Sequence, residues 1–285
     1  MPDSVFAAIR ASLHHLALAS PDPAGLADFY GRALGLRVEA AAPGLIGRAK
    51  GRTLIFQPGA PKTLAFAAYA VEDLSDLAAL RERAATAKVA LEASPSPLFG
   101  PEAVCLRDPD GNCFVFGLPA AHEAAAVHDG AAAREARLQH VVFASRDAQR
   151  LADFYQAVLG FALSDVVVDE AGGVRTSFLR CSAEHHSLAV FQAAENRLDH
   201  HCYEAGEWGL IRDWGDHMAG HHIPLVWGPG RHGPGDNLFM FVHDTDGNWV
   251  EISAELEIVE PDRAVGSWPH EERTLNSWGQ GLLRS

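Results

Sequence analysis

The chain has 285 residues and a net charge of −14, with no lysine or arginine run to offset it, which argues against a nucleic-acid or anionic-membrane partner. Apolar residues make up 48% and charged residues 21%, ordinary for a globular protein, and the length suits two cores of about 120 residues each. No apolar run reaches membrane-spanning length, the start MPDSVFAAIR lacks a leader pattern, and four cysteines without C-x-x-C spacing read as core thiols, so a cytoplasmic protein is expected.

In chain order, Leu13-His14-His15 followed by LALAS leads into the helical segment LADFYGRALGL from Leu26. A strand, LAFAAYAV from Leu64, a helix near 74–86 and strands near 102–107 and 112–117 complete a first unit, the last strand following the turn in DPDGNCFVFG. The Ala-rich stretch Ala120–Ala133 reads as a connection, helical because alanine is the best helix former. The order then restarts. A strand near 137–144 precedes a helix near 148–159, with Leu151, Phe154, Tyr155 and Val158 at helical spacing. Strands near 162–168, 174–180 and 186–192 follow, then a strand near 197–204, a helix near 207–219 and strands near 223–227, 237–243 and 248–253.

The restart is a duplication. LADFYGRALGL recurs as LADFYQAVLGF, and His15 and His140, like Tyr30 and Tyr155, lie 125 residues apart (140 − 15). Between the two DGN turns the offset is 136 (247 − 111), so the second copy carries an insertion. The expected fold is α+β: two tandem domains, each a pair of βαβββ modules curled around a cleft. Residues 1–120 form the first domain, 121–135 the linker, 136–257 the second domain and 258–285 a tail. Phe154 and Tyr155, with copies Phe29 and Tyr30, read as core residues.

The two copies differ where chemistry is concerned. The final strand of the second, in DTDGNWVEIS, carries Glu251, a carboxylate that is costly to bury unpaired, whereas the first copy has Val115 there. His140 and His200 lie on the two opening strands of the second domain, while the first copy keeps His15 but has Ala65 near the place of His200. With 15 histidines in the chain, any one on a strand is more often a packed residue than a ligand. Two imidazoles and one carboxylate on one side of an ion are nonetheless the facial set of non-heme Fe(II) oxygenases, and an ion explains the tolerated carboxylate. The first domain then reads as scaffold and the second as site.

With LQHVVF, LDHHCYE and DTDGNWVEIS on the duplicated βαβββ pattern, the chain resembles the vicinal oxygen chelate superfamily, and within it the two-domain type I extradiol ring-cleaving dioxygenases, from about Leu13 to Ile258. The resemblance implies insertion of O2 into a catechol-type diol with ring cleavage beside the diol, in aromatic catabolism, by a homo-oligomer using Fe(2+), with Mn(2+) as the alternative. It maps the metal ligands onto His140, His200 and Glu251; a register shifted by one would select His201 instead. CSAEHHSLAVF supplies His186 as acid/base histidine, with a pKa near the ordinary ~6.5, and GPGRHGPGDNLFMF supplies His232 as a partner for substrate or oxygen. The bland alternatives are a packed strand histidine and a solvated loop residue.

Val142, Phe178, Phe241 and His243 are expected at the substrate, favouring an apolar or aryl-substituted catechol. Phe241 stands where most relatives carry a tyrosine, so a phenol that bonds a substrate oxygen is missing. The tail, with Trp268, His270, Arg273 and Trp278, is expected either to cover the cavity mouth or to pack on the surface. The competing functions are a glyoxalase-like metal-dependent isomerase or lyase and a small-molecule binding protein without chemistry.

Overall fold

The computed structural model describes residues 7–42, 44–121, 134–260 and 262–282; the Ala-rich stretch from 122 to 133 lies outside them. The first half runs β1 (Ala11–Ser20), α1 (Pro23–Leu34), β2 (Arg37–Ala41), β3 (Gly44–Ala49), β4 (Arg52–Pro58), β5 (Thr63–Val71), α2 (Leu74–Thr86), β6 (Glu92–Ala93), β7 (Val104–Arg107) and β8 (Cys113–Gly117). The second half repeats it: β9 (Arg137–Ser145), α3 (Ala148–Phe154, continued by a π turn over Tyr155–Leu159), β10 (Ala162–Val168), β11 (Val174–Arg180), β12 (Leu188–Gln192), β13 (Arg197–Glu204), α4 (Trp208–Gly220), β14 (Trp227–Arg231), β15 (Leu238–His243) and β16 (Trp249–Ala254). The tail adds β17 (Gly266–Pro269) and the single turn α5 (Glu272–Leu275). No helix among the described residues is long and apolar enough to cross a membrane.

Each half is one mixed sheet. The first has the order β2-β3-β4-β1-β5-β8-β7-β6; the second has the mirror listing β14-β15-β16-β13-β9-β12-β11-β10, with β17 added beyond β10. In both, the opening strands of the two modules pair antiparallel at the centre, β1 with β5 and β9 with β13. This joins the modules into one curved surface. Local sequence sets the repeated helix: Asp22 and Asp147 each cap a first turn by accepting a backbone N–H, from Gly25 and Arg150 at 3.0 Å, and Gly35 and Gly160 end it at φ 67 and 83.

The halves are tied reciprocally. Tyr30 donates to Asp244 in the second half's turn at 2.9 Å, and Tyr155 donates to Asp108 in the first half's turn at 2.7 Å. These tyrosines are core residues, as expected, but each also satisfies a buried carboxylate of the other half. Three sequence expectations change. No strand forms over 223–226; the Ile223 N–H closes the end of α4 on the Met218 carbonyl at 2.9 Å, and β14 begins only at Trp227. His186 lies in the connection ahead of β12, which begins at Leu188. Finally, Ala17 pairs with Phe66 in the first sheet as Val142 pairs with His200 in the second, so Phe66, not Ala65, holds the place of His200.

Candidate metal centre and cavity

The three candidate ligands come from three adjacent strands, β9, β13 and β16. Cys202 pairs with both His140 and Glu251, which brings those strands into register around one point. Nε2 of His140 and Nε2 of His200 each lie 3.2 Å from Oε2 of Glu251, and 3.4 Å from one another. All three residues are buried. His201 faces the other way, with Nε2 3.0 Å from the Tyr30 hydroxyl, so the geometry brings His200 and not His201 to the cluster. Cys202 Sγ belongs to the same group but donates to Ser253 Oγ at 3.1 Å, and burial, with Glu251 adding, pushes its pKa well up. As placed, it is a thiol whose hydrogen is directed to Ser253.

Neighbours fix the histidine tautomers. Gln139 gives its amide N–H to the His186 carbonyl at 2.5 Å, so its oxygen accepts from His140 Nδ1 at 2.5 Å. Asp199 accepts from His200 Nδ1 at 2.7 Å and is itself paired with Arg197 at 2.9 Å. With the proton on Nδ1, each neutral ring turns a bare Nε2 toward the Glu251 carboxylate. Burial would raise the Glu251 carboxyl, but once either ring takes a second proton, on Nε2, its contact holds the carboxyl well below the usual carboxylate range. Burial lowers His140, while Asp199 and Glu251 overcome burial and raise His200.

Three electron-pair donors aimed at one another are what a cation requires. Donor atoms at right angles around an ion with bonds of about 2.1 Å lie about 3 Å apart, close to the spacing found. The residues present fit a divalent metal on one face, with the opposite side left to the cavity. Asn237 Nδ2 donates to the other carboxylate oxygen, Glu251 Oε1, at 3.3 Å and orients it.

A cavity that opens to solvent lies beside this cluster. Val142, Phe178, Phe191, Trp227 and Phe241 form its apolar walls, as the sequence suggested for three of them. His243 is not brought to it: the side chain is exposed and stands edge-on to Trp249. From the tail, His270, Thr274, Leu275 and Leu282 close one side, whereas Trp278 is 54% exposed beside Trp208.

His186 and His232 both line the cavity. The His186 ring lies 4.5 Å from the His140 ring and 5.1 Å from Phe178. Burial, with His140 and His185 adding, pushes its pKa well below the ordinary value assumed from sequence. His232 stacks on Phe239 at 4.0 Å and donates Nδ1–H to the Leu275 carbonyl at 2.6 Å, so Nε2 is the bare nitrogen, 3.8 Å from Glu251 Oε1. Burial lowers its pKa to about 4. Sequence reasoning passed over Gln139, Asp199 and Asn237. A readable signal existed for the first two, since each candidate ligand histidine is immediately preceded by a side-chain acceptor.

Residues 12–116 and 137–252 match the family model described as the Glyoxalase/Bleomycin resistance protein/Dioxygenase superfamily. The chain is 29% identical to metapyrocatechase 2 of Cupriavidus necator over 293 aligned positions, covering 94% of this chain and 88% of that protein. It is 30% identical to biphenyl-2,3-diol 1,2-dioxygenase of Paraburkholderia xenovorans, over 67% of this chain and 69% of the relative. Among solved structures, homoprotocatechuate 2,3-dioxygenase of Arthrobacter globiformis superposes with a TM-score of 0.82 at 22% identity, over 98% of this chain and 91% of that one, a likeness of fold.

Proposed function

The chain belongs to the Glyoxalase/Bleomycin resistance protein/Dioxygenase superfamily, and from that premise we propose that it is an extradiol dioxygenase that opens a catechol-type ring beside the diol and incorporates both atoms of O2. The observation that carries the reading is the convergence of two Nε2 lone pairs and one carboxylate beside a largely apolar cavity. We assign His140, His200 and Glu251 as the ligands and Fe(II) as the metal. When bound, the ion supplies coordination positions at which both oxygens of a catechol and O2 can meet.

The remaining roles fall to the chain. Glu251 is oriented by Asn237 and, ionised, contributes the negative charge that a divalent cation needs. His186 offers Nε2 to a proton from a diol hydroxyl and returns it as the ring opens. His232, with Nδ1 engaged by Leu275, accepts a hydrogen bond from a hydroxyl at Nε2. The aromatic walls, with Phe241 rather than a phenol among them, favour an apolar or aryl-substituted diol; Arg197 at the wall is already paired with Asp199.

Residues 1–120 act as the scaffold domain, 121–135 as linker, 136–257 as the catalytic domain and 258–285 as a tail whose His270 and Leu275 cover one side of the cavity. The test is metal analysis of anaerobically purified protein, then O2 uptake with a panel of catechols. Bound iron near one per chain, with one O2 consumed per yellow ring-opened product, is the expected result. Iron-loaded protein that consumes no O2 with any diol would overturn the reading, and manganese in place of iron would change the metal but not the reaction.

A further inference from the structure

Behind His186 lies a second buried polar chain. Asp165, on β10 and fully buried, accepts from Arg263 Nη1 at 2.8 Å, the Gly266 N–H at 3.1 Å and Trp268 Nε1 at 2.7 Å, all from the tail. His185 Nε2 also lies 3.1 Å from its Oδ2, a close charge contact that is not aligned as a hydrogen bond. His185, also fully buried, holds its Nδ1 3.0 Å from Nδ1 of His186 with the two rings perpendicular. The His185 backbone is fixed by its N–H on the Glu257 carbonyl at 2.8 Å. Burial would raise the Asp165 carboxyl, but His185, Arg263 and Trp268 together hold it at about 2.

Donor and acceptor rules then order the protons. An ionised Asp165 3.1 Å away favours a proton on the facing Nε2 of His185, which leaves Nδ1 as the acceptor toward His186. His186 must therefore donate Nδ1–H to His185, and its bare nitrogen is Nε2, the one available to a cavity occupant.

The first half serves as a control. By strand pairing, Phe178 and Ile46 are equivalent, as are Leu188 and Leu54, which sets Glu39 at the place of Asp165 and Gly51-Arg52 at the place of His185-His186. There the Arg52 guanidinium donates to backbone carbonyls of Leu34, Ala136 and Arg134. The polar chain occurs in the half that has the ligand cluster and not in its duplicate.

We propose that His185 and Asp165, the latter clamped by Arg263 and Trp268, are positioning residues that fix the tautomer and orientation of His186 for ring opening. The inference rests on the role given to His186 above, and a double-mutant cycle separates the two. His185→Phe should lower kcat about 10- to 100-fold, the range typical for losing an outer partner of an active-site group, with KM and bound iron within about twofold of the unaltered protein. Introduced into a His186→Phe protein, the same change should lower kcat no further, because nothing is left to position.

Asp165→Asn keeps the side-chain shape and should give the same pair of results, a safeguard if His185→Phe folds poorly. Equal losses in both backgrounds would mark the chain as packing only and overturn the inference while leaving His186 in its role. A wild-type ring-opening rate in His186→Phe alone would remove that role, and the inference with it.

Discussion

The two halves began from one pattern, and the cleft of each shows what became of it. In the second, His140, His200 and Glu251 converge within 3.4 Å beside a cavity. In the first, His15 remains, but Phe66 and Val115 fill the other two places, and Phe66 and Phe99 stand with ring centroids 5.7 and 4.9 Å from the imidazole. His15 is buried and satisfied within the protein, with Nε2 on Ser96 at 2.7 Å and Nδ1 on His14 at 2.8 Å. A buried imidazole is thus accommodated either by a hydroxyl or, on our reading, by an ion. The residues around it decide which.

Removing the carboxylate should break the contrast most completely. Glu251→Gln, which takes from the second cleft the carboxylate that the first lacks, should reduce bound iron below a tenth of the unaltered level and activity by about 10³-fold or more, while the circular dichroism spectrum is retained. Undiminished iron would refute the ligand assignment.

The adjacent histidines come next. His200→Ala should abolish bound iron, whereas His201→Ala should keep most of it, since that ring points to Tyr30 in the interface between halves. Metal analysis of the two proteins side by side decides it, and the opposite order would shift the ligand by one position.

A smaller effect sharpens the comparison through the reciprocal tyrosines. Tyr30→Phe and Tyr155→Phe each remove a hydroxyl from a buried carboxylate and should each cost about 1.5–3 kcal/mol in urea unfolding. Only Tyr30 also touches the strand carrying His200, so only its loss should weaken iron binding, by a few-fold. Equal effects on metal would mean the interface acts on the site as a whole. The smallest change is expected from His15→Leu, which should leave iron content unaltered because that histidine joins no cluster of donors among the described residues; a fall in iron would show that the first half takes part.

The duplication and the convergence of His140, His200 and Glu251 were legible because a carboxylate in an apolar strand and its valine copy stand at matched positions after the same DGN turn. Ala65 is one residue off because the offset at these strands is 134 (200 − 66), neither the 125 of the opening strands nor the 136 of the DGN turns, and sequence alone did not place the insertion that lies between; the strand irregularities fall at matched positions in both halves. His243 shares alternation with Phe241, but position along the strand, which periodicity does not give, takes it past the cavity. Asp165 was invisible as a partner because its contacts come from residues about 100 positions downstream. Burial, likewise a property of the assembled fold, is what moved His186 away from its ordinary pKa.

The tail strand has a consequence of another kind. Without β17, the outermost strand of the second sheet would be β10, whose Asp165–Val168 segment would present unpaired backbone groups to any passing chain. In the first half the corresponding edge, β2, is short and carries Arg37 and Glu39 outward, a charged rim that discourages such pairing. The second half relies instead on a four-residue strand ending in Pro269, a poor template for further addition. Proteolytic loss of the last twenty or so residues would therefore do more than open the cavity: it would leave a sticky edge, and the clipped protein should form aggregates before it loses its secondary structure.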